Sequence, residues 1–501
     1  MAQITYDLAI IGGGINGCGI ARDAAGRGLK VLLVEKDDLA SATSSWSSKL
    51  IHGGLRYLEQ YQFRLVRESL QEREVLLKMA PHLIHPMEFI LPYDETMRPA
   101  WMLRAGLFLY DHIGGAISLP GSRGVRFPDP QYSAGLSPKI SRGFFYSDAS
   151  VDDARLTVLN AVGARLRGAD IRTRTRLVSG ARVGGAWQLQ LQTSAGATEE
   201  VSARGVVNAA GPWVSSVLTG ALARSSSATT KLVKGSHIVV PRIHPYAHAY
   251  ILQNDDKRVT FVIPFEDKFS LIGTTDVNVD TPEGATEITP AETAYLLRAV
   301  NRFLAISLTE KEVLWSYSGV RPLYDSGQAK ASEVTRDYVL KVDAVNGEAP
   351  VLSVYGGKLT TYRRLAEHVM ESLAAFYPEL GSAWTATSPL PGGDLESFSA
   401  AVNALCARHP LLPPDYLTKL VGRHGTRADA LLAGVKNVED LGACFGSGAH
   451  QLSEREIAFV MRNEWAETAD DILWRRTKCG LHMDERERTR AKAFIANMPK
   501  P

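Results

Sequence analysis

The sequence predicts an α/β unit, an α+β part built on a mixed or antiparallel sheet, and an all-helical C-terminus. Three observations carry this. A short apolar run at 6–11 (YDLAII) leads directly into a glycine-rich turn, a helical pattern and a second apolar run ending at Glu35. Strand-like runs recur at 171–178, 187–192 and 204–209 and crowd the block from about 231 to 340, a density that suits a mostly antiparallel sheet. After the turn SPLPGGD (388–394) the chain carries no convincing strand and reads as several helices with Arg-rich surfaces.

Composition bounds the function classes. At 501 residues the chain exceeds one ordinary core, so two or three domains are expected. With 45% hydrophobic and 22% charged residues it belongs with folded proteins. Its 56 Lys and Arg nearly balance 54 Asp and Glu. That balance lacks the basic footprint of a nucleic-acid binder, so no nucleic-acid partner is expected and any anion site must be local. Cys18, Cys406, Cys444 and Cys479 are scattered, with no C-x-x-C and no His/Cys cluster at zinc spacing. Free thiols in a reducing compartment and no metal site are the expectation. The first residues show no secretory signal pattern, and no stretch reaches the ~18 apolar residues of a spanning helix. The expectation is a soluble chain, or one lying on a membrane surface.

The first element is a βαβ unit of about thirty residues. Gly12, Gly14 and Gly17 fit G-x-G-x-x-G between the first strand and the helix, and Glu35 closes the second strand. Gly12 permits the tight turn, Gly14 lets the backbone approach a pyrophosphate, Gly17 allows close helix–strand packing, and Glu35 accepts from ribose hydroxyls. The helix N-terminus adds unpaired N–H groups and partial positive charge. This is the fingerprint of a Rossmann-type dinucleotide domain. Two features favour FAD over NAD: the motif stands at the start of the chain, and GVVNAAGPWV (205–214), a strand ending in small residues, resembles the strand-plus-Gly motif that approaches the dinucleotide again in FAD-dependent oxidoreductases.

The remaining elements follow in order. Residues 36–60 are polar and Ser/Gly-rich, a loop suited to carry function. Residues 61–80 read as a helix, with Phe63, Val66, Leu70, Leu76 and Leu77 on or near one face. The stretch 86–140 is broken by Pro and Gly and has no clear period. The strand PVLSVYG (350–356) leads through GGKLTT into an amphipathic helix over 361–377. The expected division is 1–85, 141–230 and 345–387 for a discontinuous FAD-binding domain, 86–140 and 231–344 for a substrate domain, and 388–501 for a helical C-terminal cap domain.

IGGGINGCGIARDAAGRG, SSWSSKLIHGGLRYLE, KGSHIVVP, GTTD, SGVRPL and GGKLTTYR, together with ADDILWRRTKCG at 469–480, resemble the FAD-dependent glycerol-3-phosphate dehydrogenases over nearly the whole chain. The bacterial aerobic type is the nearest pattern. That family is similar in fold to D-amino-acid oxidase and glycine oxidase. The resemblance implies oxidation of sn-glycerol 3-phosphate to dihydroxyacetone phosphate, with electrons passing through FAD to a membrane quinone. It also implies a homodimer in the cytoplasm, attached to the inner face of the cell membrane. Mitochondrial relatives carry calcium-binding EF-hands. No D-x-[DN]-x-[DN]-G loop occurs here, so calcium control is not expected.

With motif and resemblance together, the residues assigned to FAD are Gly12, Gly14, Ile15, Asn16 and Gly17 at the first turn, and Glu35. Thr43, Ser44, Lys49, Leu50 and His52 follow in the polar loop, Ala210, Gly211 and Trp213 after the second strand, and Gly357, Lys358, Leu359 and Thr360 before the late helix. A phosphorylated secondary alcohol needs cations, a base and the flavin ring facing its reacting carbon. Arg56 in HGGLR, Arg321 in GVRPL and Lys358 in GGKLT match positions the family uses near substrate, and both residue types suit phosphate. His52 and His237 are the candidate bases, since a neutral imidazole accepts an alcohol proton near working pH. The other ten of the 12 histidines are background. Thr275 and Asp276 are candidates for substrate hydroxyls, and Tyr57 for the pocket lining. In the implied mechanism the base takes the C2 hydroxyl proton as hydride leaves C2 for flavin N5. The cations fix C2 over the ring, and the flavin carries the redox chemistry.

Segment 98–115 combines Trp101, Met102, Leu103, Leu107, Phe108 and Tyr110 with Arg98 and Arg104, which suits an interfacial helix as well as a buried one. Helix 361–377 is a second membrane candidate, although packing under the FAD domain suits it better. Three other readings stay open: an oxygen-using glycerophosphate oxidase, an amine or amino-acid oxidase of the same fold, and a non-catalytic FAD-binding protein.

Overall fold

The computed structural model describes residues 5–94, 99–127, 129–225, 229–256, 258–325, 337–344 and 347–499. The predicted βαβ unit is present as β1 (Tyr6–Ile11), α1 (Ile15–Gly26) and β2 (Val31–Val34). β1 lies at the centre of an eight-stranded sheet, between β2 and Thr198–Asn208, and both pairings are parallel. Val351–Tyr355 and Asp170–Arg172 extend the parallel core on either side.

Alternation along β1 shows why its apolar run is unbroken. Leu8 and Ile10 enter one core with α1 and with the helices Asp153–Arg165 and Tyr362–Leu373. Ala9 and Ile11 enter another with Trp187, Leu189 and Leu191 of the antiparallel strand Ala186–Thr193. A parallel strand covered on both faces has no solvent side to mark with polar residues. Helix Tyr362–Leu373 buries Leu365, Val369 and Met370 in the first of these cores, so its apolar face is used inside the protein.

The second sheet has ten strands and is mostly antiparallel. Its long strand Thr229–Pro241 pairs with Trp315–Asp325 and with Phe269–Gly273. The pairing of Ala249–Gln253 with Ile84–Pro92 is parallel, which makes the sheet mixed. Strand Arg142–Val151, grouped in sequence with the first sheet's segments, pairs along its length with Ile84–Pro92 in this second sheet. Its pairing is set by tertiary register, which local pattern does not encode. The stretch without a clear period holds Ile84–Pro92 and the helix Ala100–Ile113. Helix Phe63–Met79 buries Val66, Leu70 and Leu76 as expected, whereas Phe63 at its first turn is exposed.

Beyond residue 390 the chain forms helices Phe398–Arg408, Pro414–His424, Glu454–Glu464 and Glu485–Asn497, with two short strands and cores of its own. Largely buried ion pairs tie it to the segments around the first sheet. Arg155 pairs with Glu464, Arg476 with Asp38 at 2.7 Å, and Lys478 with Asp152 at 2.5 Å. Among the described residues no helix is long and apolar enough to cross a membrane.

Candidate active site

A cavity of about 800 Å³ opens between the two sheets, lined by residues of both. At one end stands the glycine turn. Gly12 has φ +115°, and a Cβ there would lie 2.6 Å from the Ala209 carbonyl. A Cβ on Gly17 would lie 1.9 Å from the Gly12 carbonyl, so α1 seats against the turn only through glycine. No acidic side chain occupies the first turn of α1, so no carboxylate offsets the positive end of its dipole, which favours an anion there. Glu35 accepts from Gly13 N at 2.7 Å and from Asp37 N at 2.8 Å, which holds its carboxylate at the end of β2. Burial raises its pKa despite those two backbone bonds.

The polar loop bridges the sheets. Ser44 Oγ accepts from Ile15 N at 2.9 Å, at the start of α1. Thr43 Oγ1 donates to the Val320 carbonyl at 2.7 Å, in the second sheet. The late turn closes the same wall. Asn16 Nδ2 donates to the Gly356 carbonyl at 3.2 Å, and Gly357, at φ +104°, would place a Cβ 2.7 Å from that amide. Asn16 Oδ1 is buried with no hydrogen-bond partner among the described residues.

The far end carries the cations and imidazoles. Arg321 donates to the Thr275 carbonyl at 3.0 Å and pairs with Asp276 at 2.8 Å, and its side chain stays about one-third exposed toward the cavity. It projects over Gly235, where a Cβ would lie 2.4 Å from the guanidinium. Lys358 Nζ stands 3.8 Å from the centre of the Tyr57 ring. Gly54 adopts φ +76°, and a Cβ on it would lie 2.3 Å from that same ring, which accounts for the second glycine of HGGLRY.

His52 and His237 both line the cavity and differ in electrostatics. Burial lowers the pKa of His52. Asp148 opposes that shift and Lys358 adds to it. His237 is pushed down to about 3 by burial, then by Lys49 and Arg321. Its Nε2 lies 2.9 Å from Ser48 Oγ, and its ring stacks on Tyr317 at 4.9 Å. Both rings are therefore neutral near pH 7.

The cavity wall includes Gly12, Gly14, Ile15, Asn16, Glu35, Thr43, Ser44, Leu50, His52, Tyr57, Ala210, Gly211, Trp213, His237, Arg321, Gly357, Lys358, Leu359 and Thr360. Gly17 packs beneath it. Lys49 is not among the lining residues. Its ammonium is buried against Asp153 at 2.8 Å and the Ser45 carbonyl at 2.8 Å. Thr275 is also off the wall: its hydroxyl donates to Glu292 at 2.8 Å and accepts from Ser236 N at 2.9 Å. Its carbonyl, rather than its hydroxyl, serves the site by holding Arg321. Burial raises the pKa of Glu292, but bonds from Lys234, Thr289, Ser236 and Thr275 outweigh this and hold it at about 2. Arg56 is half-buried in the turn Leu55–Gln60, beside the lining residue Tyr57. Sequence reasoning missed Ser48, Asp148 and Gly235, whose roles arise only from pairing across the fold.

The residues present fit a bound dinucleotide. A glycine cradle, an anion-seeking helix end, a carboxylate at the end of β2 and an orphaned Asn16 oxygen share one cavity of suitable size. Comparison with known proteins agrees. Residues 7–363 match the family described as FAD dependent oxidoreductase, and residues 383–500 match the C-terminal domain of alpha-glycerophosphate oxidase. A glycerol-3-phosphate dehydrogenase of Pseudomonas aeruginosa is 50% identical, covering 98% of this chain and 95% of that protein. A D-erythritol 1-phosphate dehydrogenase of Brucella abortus is also 50% identical, covering 98% and 97%. The solved glycerol-3-phosphate dehydrogenase from Bacillus halodurans, complexed with FAD, superposes with a TM-score of 0.74 at 26% identity, covering 99% of this chain and 94% of that one. FAD is thus the cofactor, and the chain belongs to the family of FAD-dependent oxidoreductases that contains the glycerol-3-phosphate dehydrogenases.

Proposed function

We propose that this enzyme oxidises the C2 hydroxyl of sn-glycerol 3-phosphate to give dihydroxyacetone phosphate and passes the electrons to a membrane quinone. The observation that carries the reading is the pairing of two cavity-lining cations, Arg321 and Lys358, with cavity-lining neutral imidazoles. Arg321 and Lys358 bind the phosphate, with Arg56 as a further cation from the adjoining turn. Tyr57 holds Lys358 by its ring face. When bound, FAD supplies the two-electron acceptor, taking hydride at N5.

His52 is the base in this reading. A base must carry positive charge once the alcohol proton has moved. At His52, Asp148 favours that charge more than Lys358 opposes it, whereas at His237 both Lys49 and Arg321 oppose it. His237, bonded to Ser48, then serves to orient that hydroxyl at the wall. Membrane contact rests on helix Ala100–Ile113, which buries Leu103, Leu107 and Tyr110 and exposes Trp101, Met102, Phe108 and Leu109. That exposed aromatic face supports attachment at the inner face of the cell membrane, with a quinone as the acceptor there.

A second reading has equal support from sequence likeness. The D-erythritol 1-phosphate relative shares the phosphate end and the secondary alcohol and differs in carbon chain length. Anaerobic titration of the flavin-loaded enzyme, following the flavin absorbance, separates the two. Bleaching by sn-glycerol 3-phosphate well below the concentration needed for D-erythritol 1-phosphate supports the first reading, and the reverse order supports the second. Bleaching only by glycine or D-alanine would sink both. Reoxidation by a soluble quinone without peroxide supports the quinone step, and stoichiometric peroxide formation in air would replace it with oxygen.

A further inference from the structure

We infer that Glu266, His450 and His482 form a binding site for a divalent, late-transition-metal ion of the zinc type, joining the helical C-terminal region to the second sheet. Glu266 lies in the turn between the strands Val259–Phe265 and Phe269–Gly273. His450 and His482 end two short helical turns of the C-terminal region, Gly448–His450 and Cys479–His482. One nitrogen of each ring and one Glu266 oxygen all lie within 4.8 Å of one another.

Three features point to an ion. His450 Nδ1 and His482 Nε2 stand at 4.0 Å from the same oxygen, Glu266 Oε2. Donors each about 2.0–2.2 Å from a shared ion lie roughly 3.4 Å apart at a tetrahedral angle. The observed spacing is slightly wider, so a small side-chain closure seats the ion. Next, His450 Nε2 donates to Asp267 Oδ2 at 2.9 Å, and Lys419 holds the same carboxylate oxygen at 2.6 Å. A ring N–H engaged by a carboxylate leaves Nδ1 with its lone pair, the arrangement that orients histidine ligands in metal sites. Finally, the His482 side chain is 2% exposed, and neither of its nitrogens has a hydrogen-bond partner among the described residues. A buried imidazole left unsatisfied is costly unless something binds it.

The rings of His450 and His482 stack nearly parallel, 3.4 Å between centres, so one ring turns to bring both lone pairs onto a shared ion. Two imidazoles and one carboxylate suit zinc and its neighbours, with the remaining position open to water. The cluster was invisible at zinc spacing in the sequence because its members lie at 266, 450 and 482. It is remote in composition from the FAD cavity, sharing no lining residue with it.

The test uses flavin-loaded enzyme, stripped with a chelator and dialysed against Zn²⁺ alone. Wild type should retain one zinc per chain and melt at a higher temperature with zinc than without. His482→Asn and Glu266→Gln should abolish stoichiometric retention. Asp267→Asn should weaken affinity about 10–100-fold, the usual loss when a ligand's carboxylate partner is removed. His112→Asn, on the helix Ala100–Ile113, should bind as wild type does. Flavin content reports folding of each variant. Should His482→Asn fail to fold, the half-buried Glu266 supplies the decisive variant. No zinc retained by wild type, or equal retention by folded Glu266→Gln, would overturn the assignment.

Discussion

The Tyr110 phenol donates to the Asp148 carboxylate at 2.7 Å, and the phenol oxygen accepts from Gly53 N at 2.8 Å. Tyr110 thereby ties helix Ala100–Ile113 to the turn that presents His52. Arg73 completes the network, pairing with Asp148 at 2.8 Å. A Cβ on Gly53 would lie 2.7 Å from the Tyr110 oxygen, so the first glycine of HGGLR makes room for this bond. Tyr110→Phe should leave Gly53 N–H buried and unpaired, at a cost of about 1–3 kcal/mol. The expected result is a lower melting temperature and a reduced kcat with full flavin content. Unchanged stability would show that the phenol is not needed to satisfy that backbone group.

The pH profile tests His52. Its folded pKa lies below the usual value of about 6.5 because burial disfavours the charged ring. The neutral form is the competent base, so kcat/KM should be flat through neutrality and its acid limb should lie below that of an ordinary histidine. His52→Asn should remove this acid limb and lower kcat by about 10²–10⁴-fold, the usual contribution of a positioned base. If His237→Asn instead abolishes the limb and His52→Asn leaves it, the two roles are exchanged.

Arg321 and Gly235 make a linked pair. Arg321→Ala removes a charge-assisted bond of about 1.5–3 kcal/mol, or roughly 10–150-fold in kcat/KM, carried mainly by KM. Gly235→Ala should move the same way by less, because its Cβ would displace the flexible guanidinium rather than delete it. Both variants should keep FAD. Steady-state kinetics with inorganic phosphate as competitor reads the effect, and an unchanged KM in Arg321→Ala would remove Arg321 from phosphate binding.

These relationships show what was legible in the chain. Gly12, Gly14, Gly17 and Glu35 were readable because their roles are local: a turn, a helix start and a strand end within thirty residues. Arg321 was readable from the likeness of GVRPL to the family's pattern, but the residues that aim it were not. Gly235 reaches it through antiparallel register with Gly319, and the Thr275 carbonyl from the link after the strand Phe269–Gly273. Lys49 stood in a loop that carries function, yet its ammonium belongs to Asp153, 104 residues further on. Helix Ala100–Ile113 was ambiguous because an interfacial and a half-buried helix share one apolar pattern. Arg98, counted with that segment, lies outside the described residues.

The seam between the C-terminal region and the FAD-side helices makes a stability prediction. Glu464 accepts from Arg155 Nη2 at 3.0 Å and from Arg427 at 2.6 Å, and neither Glu464 nor Arg155 has an exposed side chain. Glu464→Gln strands Arg155 as a buried charge, at an expected cost of about 3–5 kcal/mol in denaturant unfolding. Neighbouring Glu456 adds a pH signature. Burial raises its pKa, but Arg423 and His424 outweigh that and hold it at about 2. A carboxylate depressed in the folded state contributes its full stability above the unfolded value of roughly 4.3 and loses it as pH falls toward 2. Glu456→Gln should therefore flatten the acid side of the melting-temperature profile between roughly pH 4.3 and 2, and an unchanged slope there would assign the acid sensitivity elsewhere.

The last prediction concerns the membrane. Trp101 is 70% exposed and Phe108 60%, while Leu107 and Tyr110 of the same helix are about 1% exposed. The helix is thus anchored by one face and offers aromatic rings on the other, a division that suits insertion at the headgroup level. Trp101→Asp with Phe108→Asp changes only exposed positions, so folding and flavin content should hold. Flotation with anionic liposomes should fall sharply in this variant, whereas turnover with a water-soluble acceptor should stay near wild type. Because Tyr110 links the buried face to Gly53, wild-type turnover should also respond to added liposomes, and the double variant should lose that response. Undiminished flotation of the double variant would remove this helix as the anchor and leave its aromatic face to another partner.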